Sequence, residues 1–218
     1  MANIDLKKRA EIGEKRRART LDLLIDSAME CFAENTVSTI TTDDICKSAG
    51  VSRGTFYNYF NDMDDLIISV LERFRDSIET KLVGQAKGVQ AGPERMAIVF
   101  AWVCQLTKTD PVMAKIFLFA AGTEHPGKFE DIFKSKLLED IHACRSHGLI
   151  TLNNDTIALD FANGTLDRVL RSLLEEKITL PQASIYLECL FTAMGMPAGR
   201  ATDFAALSRS SYETAQDK

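Results

Sequence analysis

Apolar residues return every three to four positions along most of this chain, and no useful stretch alternates them one by one. That period marks amphipathic helices rather than strands. Leu21, Leu24, Ala28 and Phe32 form one inward stripe, predicting a first helix from Lys15 to about Asn35, with Asn35 as a left-handed C-cap. Leu66, Val70, Phe74, Ile78 and Leu82 mark a long helix capped by Asp62 and running to about Lys87, with Ile67 and Leu71 widening its stripe. At ~1.5 Å per residue it is roughly 35 Å long. Gly84, Gly88, Gly92 and Pro93 close it. Beyond Pro93 every segment reads as helix. Met96, Val99, Phe100 and Val103 make one face, and Trp102 lies off it, toward another neighbour or solvent. Asp110-Pro111 opens VMAKIFLFAA, apolar nearly all round and therefore buried. A loop at 122–127 precedes a helix from about Lys128 to His147, with Phe129, Ile132 or Phe133, Leu137 and Ile141 inward. Asn154 or Asp155 caps an eighth helix and Pro181 starts a ninth. A short helix near Thr202–Leu207 and a polar tail follow.

Between the first and the long helix lies Thr41–Phe60, TTDDICKSAGVSRGTFYNYF. It reads as two short helices joined by a tight turn. Thr41 caps the first, with Asp44 closing a capping box. Gly50 stops that helix, because the stop requires positive φ. Ser52 caps the second, whose Phe56 and Phe60 share an inner face at i, i+4. Arg53, Thr55, Tyr57, Asn58 and Tyr59 remain on the rest of the surface, with at least one tyrosine exposed. Arginine, hydroxyls, an amide and aromatics on a short, internally anchored helix suit a DNA major groove. Arg53 suits guanine and Asn58 adenine. Gly54 permits close approach to the phosphate backbone.

These residues resemble the DNA-binding signature of the TetR family of bacterial regulators, from about Thr20 through Leu71. The run AGVSRGTFYNYF, followed by NDMDDLI and a long amphipathic helix, carries the resemblance. It implies an all-α protein with an N-terminal three-helix DNA-binding domain containing a helix-turn-helix. An α-helical ligand-binding and dimerisation domain follows. It also implies DNA contacts at Thr41, Thr42, Ser52, Arg53, Gly54, Thr55, Tyr57, Asn58 and Tyr59. Two positions depart from the family pattern. Thr36 and Val37 stand where glycine and an aromatic are usual, and Met63 replaces a phosphate-gripping lysine.

Charge adds to this picture. The net charge is −5, yet residues 7–19 hold seven Lys/Arg against Glu11 and Glu14. A basic arm on an acidic body suits docking to DNA by one end. Arg16, Arg17 and Arg19 are the arm residues assigned to phosphate. The expected organisation is a basic arm at 1–14, a DNA-binding domain at 15–62, a ligand-binding and dimerisation domain at 63–208, and a polar tail at 209–218.

Composition excludes other classes. No apolar run reaches membrane-spanning length and the N-terminus lacks a secretory apolar core, so a cytoplasmic location is expected. Five scattered cysteines without a CxxC pair read as reduced thiols. His142 and His147 are five apart and point to different sides of a helix, a poor metal pair. No nucleophile elbow, phosphate loop or zinc-protease motif is present. The expectation is therefore no enzyme, no metal and no cofactor.

Large or soft apolar groups nominate a cavity for a small-molecule effector: Phe100, Trp102, Cys104, Met113, Phe117, Phe133 and Phe161, with Phe119 as a further candidate and His142 and Arg168 as polar partners. Leu159, Ala162, Leu166, Val169, Leu170 and Leu173 hold a heptad-like stripe on the eighth helix. On the ninth only Glu188 is charged between Ala183 and Met196, so that helix needs covering on more than one side. The family pairs its last two long helices across a twofold axis. This nominates the stripe with Tyr186, Leu187, Leu190, Phe191 and Met194 as a homodimer interface. The reading is a ligand-released repressor acting as a homodimer on a palindromic operator. The alternative is a helical small-molecule-binding or scaffold protein with a degenerate helix-turn-helix.

Overall fold

The computed structural model describes residues 2–34, 39–122 and 128–214. Every regular element of useful length among them is a helix: α1 (Ala2–Glu34), α2 (Thr42–Ser48), α3 (Arg53–Tyr57), α4 (Met63–Gln85), α5 (Pro93–Thr109), α6 (Pro111–Gly122), α7 (Lys128–Ser146), α8 (Asp155–Leu174), α9 (Leu180–Ala193) and α10 (Ala198–Thr214). Two compact units result, Met1–Arg73 and Phe74–Lys218, so the division falls within α4 and not at its first residue. The expected cap at Asn35, the loop at 123–127, and the side chains of Leu82, Phe129 and Ile132 lie outside the described residues.

In the first unit, Leu24, Ile25, Ala28 and Phe32 of α1, Ile45 and Cys46 of α2, Phe56 of α3 and Leu66, Ile67 and Val70 of α4 are all buried. Arg73 of α4 pairs with Asp22 and, at 3.0 Å, with Asp26 of α1. Helix α1 begins at Ala2 rather than Lys15, so the arm is helical. Nothing in 2–20 stops a helix except Gly13, whose cost of about 1 kcal/mol is tolerable among good helix formers. Residues 8–19 are all exposed.

The second unit buries its main core between α5, α7, α8, α9 and α10, around Phe100, Cys104, Ile141, Leu159, Val169, Leu187 and Phe191. Trp102 is buried, not solvent-facing. The polar tie of this unit is Asp140 of α7, which accepts from the Gly92 amide at 2.8 Å and pairs with Arg95 Nε at 2.7 Å. Burial nonetheless pushes the Asp140 carboxyl above the ordinary carboxylate range, outweighing both partners. The short helix and polar tail expected near the C-terminus are one helix, α10, packed on α9 and α5. Ala201, Ala205 and Ser208 form its buried stripe. Ser208 donates back to the Ala205 carbonyl at 2.7 Å, so its hydroxyl is satisfied without water. Small and hydroxyl residues read as a tail in sequence because close helix packing leaves little hydropathic signal.

Candidate nucleic-acid interface

Local hydrogen bonds set the shape of this site. Asp44 accepts from the Thr41 amide at 2.9 Å and its hydroxyl at 2.7 Å, while the Asp44 amide donates to Thr41 Oγ1 at 3.3 Å. Those donors hold the Asp44 carboxyl below the usual range. Gly50 takes φ +64°, and the Val51 amide reaches back to the Cys46 carbonyl at 2.9 Å. This ending turns the chain sharply into Ser52. Ser52 Oγ accepts from the Thr55 amide at 3.1 Å and lies 2.9 Å from Thr55 Oγ1. Helix α3 is therefore fixed at its front by its own hydroxyls, and beneath by Phe56, fully buried, and Phe60.

What remains outside is polar and aromatic. Tyr57 is 53% exposed, its ring edge-on to Phe56. Asn58 is the exposed C-cap residue. Tyr59 is half-buried, and the Arg17 guanidinium lies over its ring at 5.6 Å from the centroid. That cation–π contact fixes one arm arginine beside the end of α3. Arg16 and Arg19 are exposed on α1. Thr42 is half-buried in the first turn of α2. At Gly54 an added Cβ meets only Ser52 Oγ, at 3.8 Å, so nothing within the protein requires glycine. Arg53 is exposed and forms an ion pair with Asp43, Nε to Oδ1 at 2.9 Å.

The acids after α3 have structural work. Asp62 accepts from the Asp65 amide at 2.9 Å, and Asp65 accepts from the Asn61 amide at 3.0 Å. Asp62 thereby caps the start of α4, while Asp65 ties down the chain that enters it at Asn61. The pairing of Asp43 with Arg53 crosses a turn and leaves no periodic trace in the sequence.

The second unit redistributes its nominated residues. Phe100 and Cys104 belong to the main core. Phe117 stands edge-on between Phe74 at 6.1 Å and Phe133 at 5.2 Å, with Met113 buried nearby in sequence. Trp102 is buried, and three of the nominated residues face solvent. Phe161 is 49% exposed, Arg168 is exposed, and His142 is exposed with Nε2 2.8 Å from Asp155. An open groove of about 330 Å³ lies instead at the α8–α9 turn, lined by Lys108, Glu176, Ile178, Thr179, Leu180 and Pro181, none of them nominated.

The nominated dimer stripe lies largely inside the chain's own core. Leu159, Ala162, Val169, Leu170, Leu173, Leu187, Leu190, Phe191 and Met194 are buried within the single chain, and Leu166 and Tyr186 are partly so. The most periodic stripe of each helix went to the chain's own core, the larger apolar sink. The opposite faces stay exposed: Ile157, Phe161, Gly164 and Arg168 on α8, and Ile185, Cys189 and Thr192 on α9.

Among the described residues no three His, Cys, Asp or Glu gather where they could hold a metal ion. No described helix is long and apolar enough to cross a membrane.

Comparison with known proteins agrees with this geometry. Residues 24–70 match the family model described as bacterial regulatory proteins, tetR family. Over 117 residues the chain is 27% identical to the fatty acid metabolism regulator protein of Bacillus subtilis (strain 168), covering 52% of this chain and 60% of that protein. Over 73 residues it is 33% identical to the HTH-type transcriptional regulator HbdR of Aromatoleum sp. (strain CIB), covering 34% and 32%. The chain thus spans 60% of the first relative's length and 32% of the second's. Among solved structures, FadR from Bacillus subtilis in complex with stearoyl-CoA superposes with a TM-score of 0.63 at 21% identity, covering 78% of this chain and 96% of that one. RolR in complex with resorcinol gives 0.62 at 22% identity, covering 88% and 95%. At that identity the two structures establish the fold. These relatives are transcriptional regulators and not enzymes. Residues 24–70 are thus a DNA-binding domain of the tetR family of bacterial regulatory proteins, carried on a chain whose all-helical fold is shared with the solved structures over most of its length.

Proposed function

We propose that this protein is a sequence-specific DNA-binding repressor that acts as a homodimer on a palindromic operator and is released by a small apolar effector. One observation carries the DNA reading: α3 is anchored from below by Phe56 while Arg53, Tyr57 and Asn58 stand in solvent. Gly54 supports it, since a helical glycine costs about 1 kcal/mol and nothing inside the protein uses the space. A phosphate backbone would. Arg16, Arg17 and Arg19 supply phosphate affinity. Thr41, Ser52 and Thr55 have their hydroxyls engaged in caps, so they serve DNA chiefly by presenting the helix starts.

Dimerisation uses the faces of α8 and α9 that the protomer leaves open. Ile157, Phe161 and Ile185 are large apolar side chains at 43%, 49% and 52% exposure, more than a solitary surface residue explains. Two such helices per protomer make a four-helix bundle about a twofold axis, which places two copies of α3 on successive major grooves. The effector class follows from Phe74, Phe117 and Phe133, an aromatic cluster apart from the main core. An aromatic or acyl group fits that chemistry, and the stearoyl-CoA and resorcinol complexes named above are in keeping with it. Release requires that the effector bind one arrangement better than the other.

A mobility-shift assay on the promoter beside the protein's own gene tests this. A discrete complex that dissolves on adding an acyl-CoA or a phenol is expected. Binding that ignores sequence would remove the regulator role.

A further inference from the structure

We propose that Asp43 is a positioning residue that aims Arg53 at a single base, so that the specificity of α3 resides in an α2–α3 pair and not in α3 alone. The proposal rests on the DNA-reading function above and deepens it.

Two neighbouring acids occupy the first turn of α2, and they have different employment. Asp44 is consumed by the capping box with Thr41. Asp43 takes no part in that cap. Its carboxylate reaches across the turn to Arg53, Oδ1 to Nε at 2.9 Å. A first-turn acid already gains from the helix dipole, so α2 does not need this partner. Both side chains are largely exposed, 64% for Arg53 and 62% for Asp43, so the pair adds little to folding. Its position on the outward surface gives it another use.

A guanidinium has two forks, one along Nε and one at the two Nη groups. Asp43 occupies the Nε side. Among the described residues nothing hydrogen-bonds the Nη pair of Arg53. The end-on fork is the one that matches guanine O6 and N7. Holding the Nε edge restricts the side chain's rotamers before DNA arrives, which lowers the ordering cost of that contact.

The same carboxylate penalises wrong sites. An unpaired arginine on this surface would bind any phosphate it met. Paired with Asp43 it is locally neutral, and the carboxylate repels the backbone. Only a base offering two acceptors repays the displaced water. Discrimination by repulsion of the competitor is a general route to specificity.

The test selects bound duplexes from a random pool with the full-length wild type, Asp43→Asn, Asp43→Glu, Arg53→Ala and the double variant Asp43→Asn/Arg53→Ala. Wild type should enrich guanine at one position per half-site. Asp43→Asn should keep the remaining site, lose about two- to five-fold of the preference at that position, and bind random duplex more tightly. Asp43→Glu retains the charge and should restore the preference. In the Arg53→Ala background Asp43→Asn should leave the base profile unchanged, because its route to the base is gone. A profile untouched by Asp43→Asn, or one shifted equally in both backgrounds, overturns the proposal and leaves the regulator function standing. A wild type that enriches no sequence defeats the regulator function itself, and the proposal with it.

Discussion

Helix α3 and helix α9 solve opposite problems. The first has five residues, buries Phe56, half-buries Thr55 and offers Arg53, Gly54 and Tyr57 to solvent. The second has 14 residues, of which only Glu188 is charged, and hides Ala183, Ser184, Leu187, Leu190 and Phe191 inside its own chain's core. In α3, caps and a glycine turn position the side chains, so the surface is written locally. In α9 the interior takes the best apolar stripe, and the outward surface is the remainder. A functional face can thus be chosen by its own residues or left over by the core.

Paired substitutions on α9 test that contrast most strongly. Phe191→Ala removes a fully buried ring and should cost about 3–5 kcal/mol of stability, read from urea unfolding followed by Trp102, the single tryptophan, buried in the same unit. Ile185→Glu, on the exposed face, should leave the chain folded and weaken the proposed dimer by at least roughly tenfold. Sedimentation at equilibrium separates these. A folded monomer from Phe191→Ala, or an intact dimer from Ile185→Glu, would restore the buried stripe as the interface.

Acid titration sharpens the comparison between the two units. In the first, Thr41's donors lower the Asp44 carboxyl. Its stabilisation is present above the unfolded value, near pH ~4, and is lost as pH falls through the folded one. In the second, burial raises Asp140. Its contribution is complete below the unfolded value and is lost as pH rises through the raised one. Asp44→Asn should therefore flatten the acid loss of α2 amide protection in hydrogen exchange. Asp140→Asn should remove a loss of Trp102-monitored stability on raising the pH from about 4. Slopes of the same sign at the two sites would contradict the account.

The smallest expected effect lies at the end of α8. Glu176 takes φ +56°, with its amide on the Leu173 carbonyl and the next amide on Ser172. A left-handed C-cap residue of this kind is normally glycine. Glu176→Gly should stabilise the protein by about 0.5 kcal/mol, despite losing an exposed contact with Lys108, and the urea midpoint should rise. A falling midpoint would mean that the pair with Lys108 outweighs the backbone strain.

Much was legible in the chain because the chemistry is short-range. The Thr41–Asp44 box, the stop at Gly50, the cap at Ser52 and the anchor at Phe56 each need only a few consecutive residues, and each is present as read. Helix periodicity marked α4 to α9 for the same reason. The failures share a different cause. Phe161, His142 and Arg168 have the right chemistry for a pocket, but rotation about α7 and α8 turned them outward. Arg209 sits in the expected tail, yet its Nη2 reaches Ser184 at 3.2 Å, because the helix continues past Ser208.

The sequence by itself determined that the chain is helical, where α2 turns into α3, and which residues α3 has available for DNA, since caps, glycine angles and i, i+4 spacing act within one or two turns. Tertiary structure alone decided which stripe of α8 and α9 is core and which is surface, and which of two adjacent aspartates meets Arg53. Those outcomes depend on competition among distant partners for the same burial and charge, and a periodic pattern names the contestants without naming the winner.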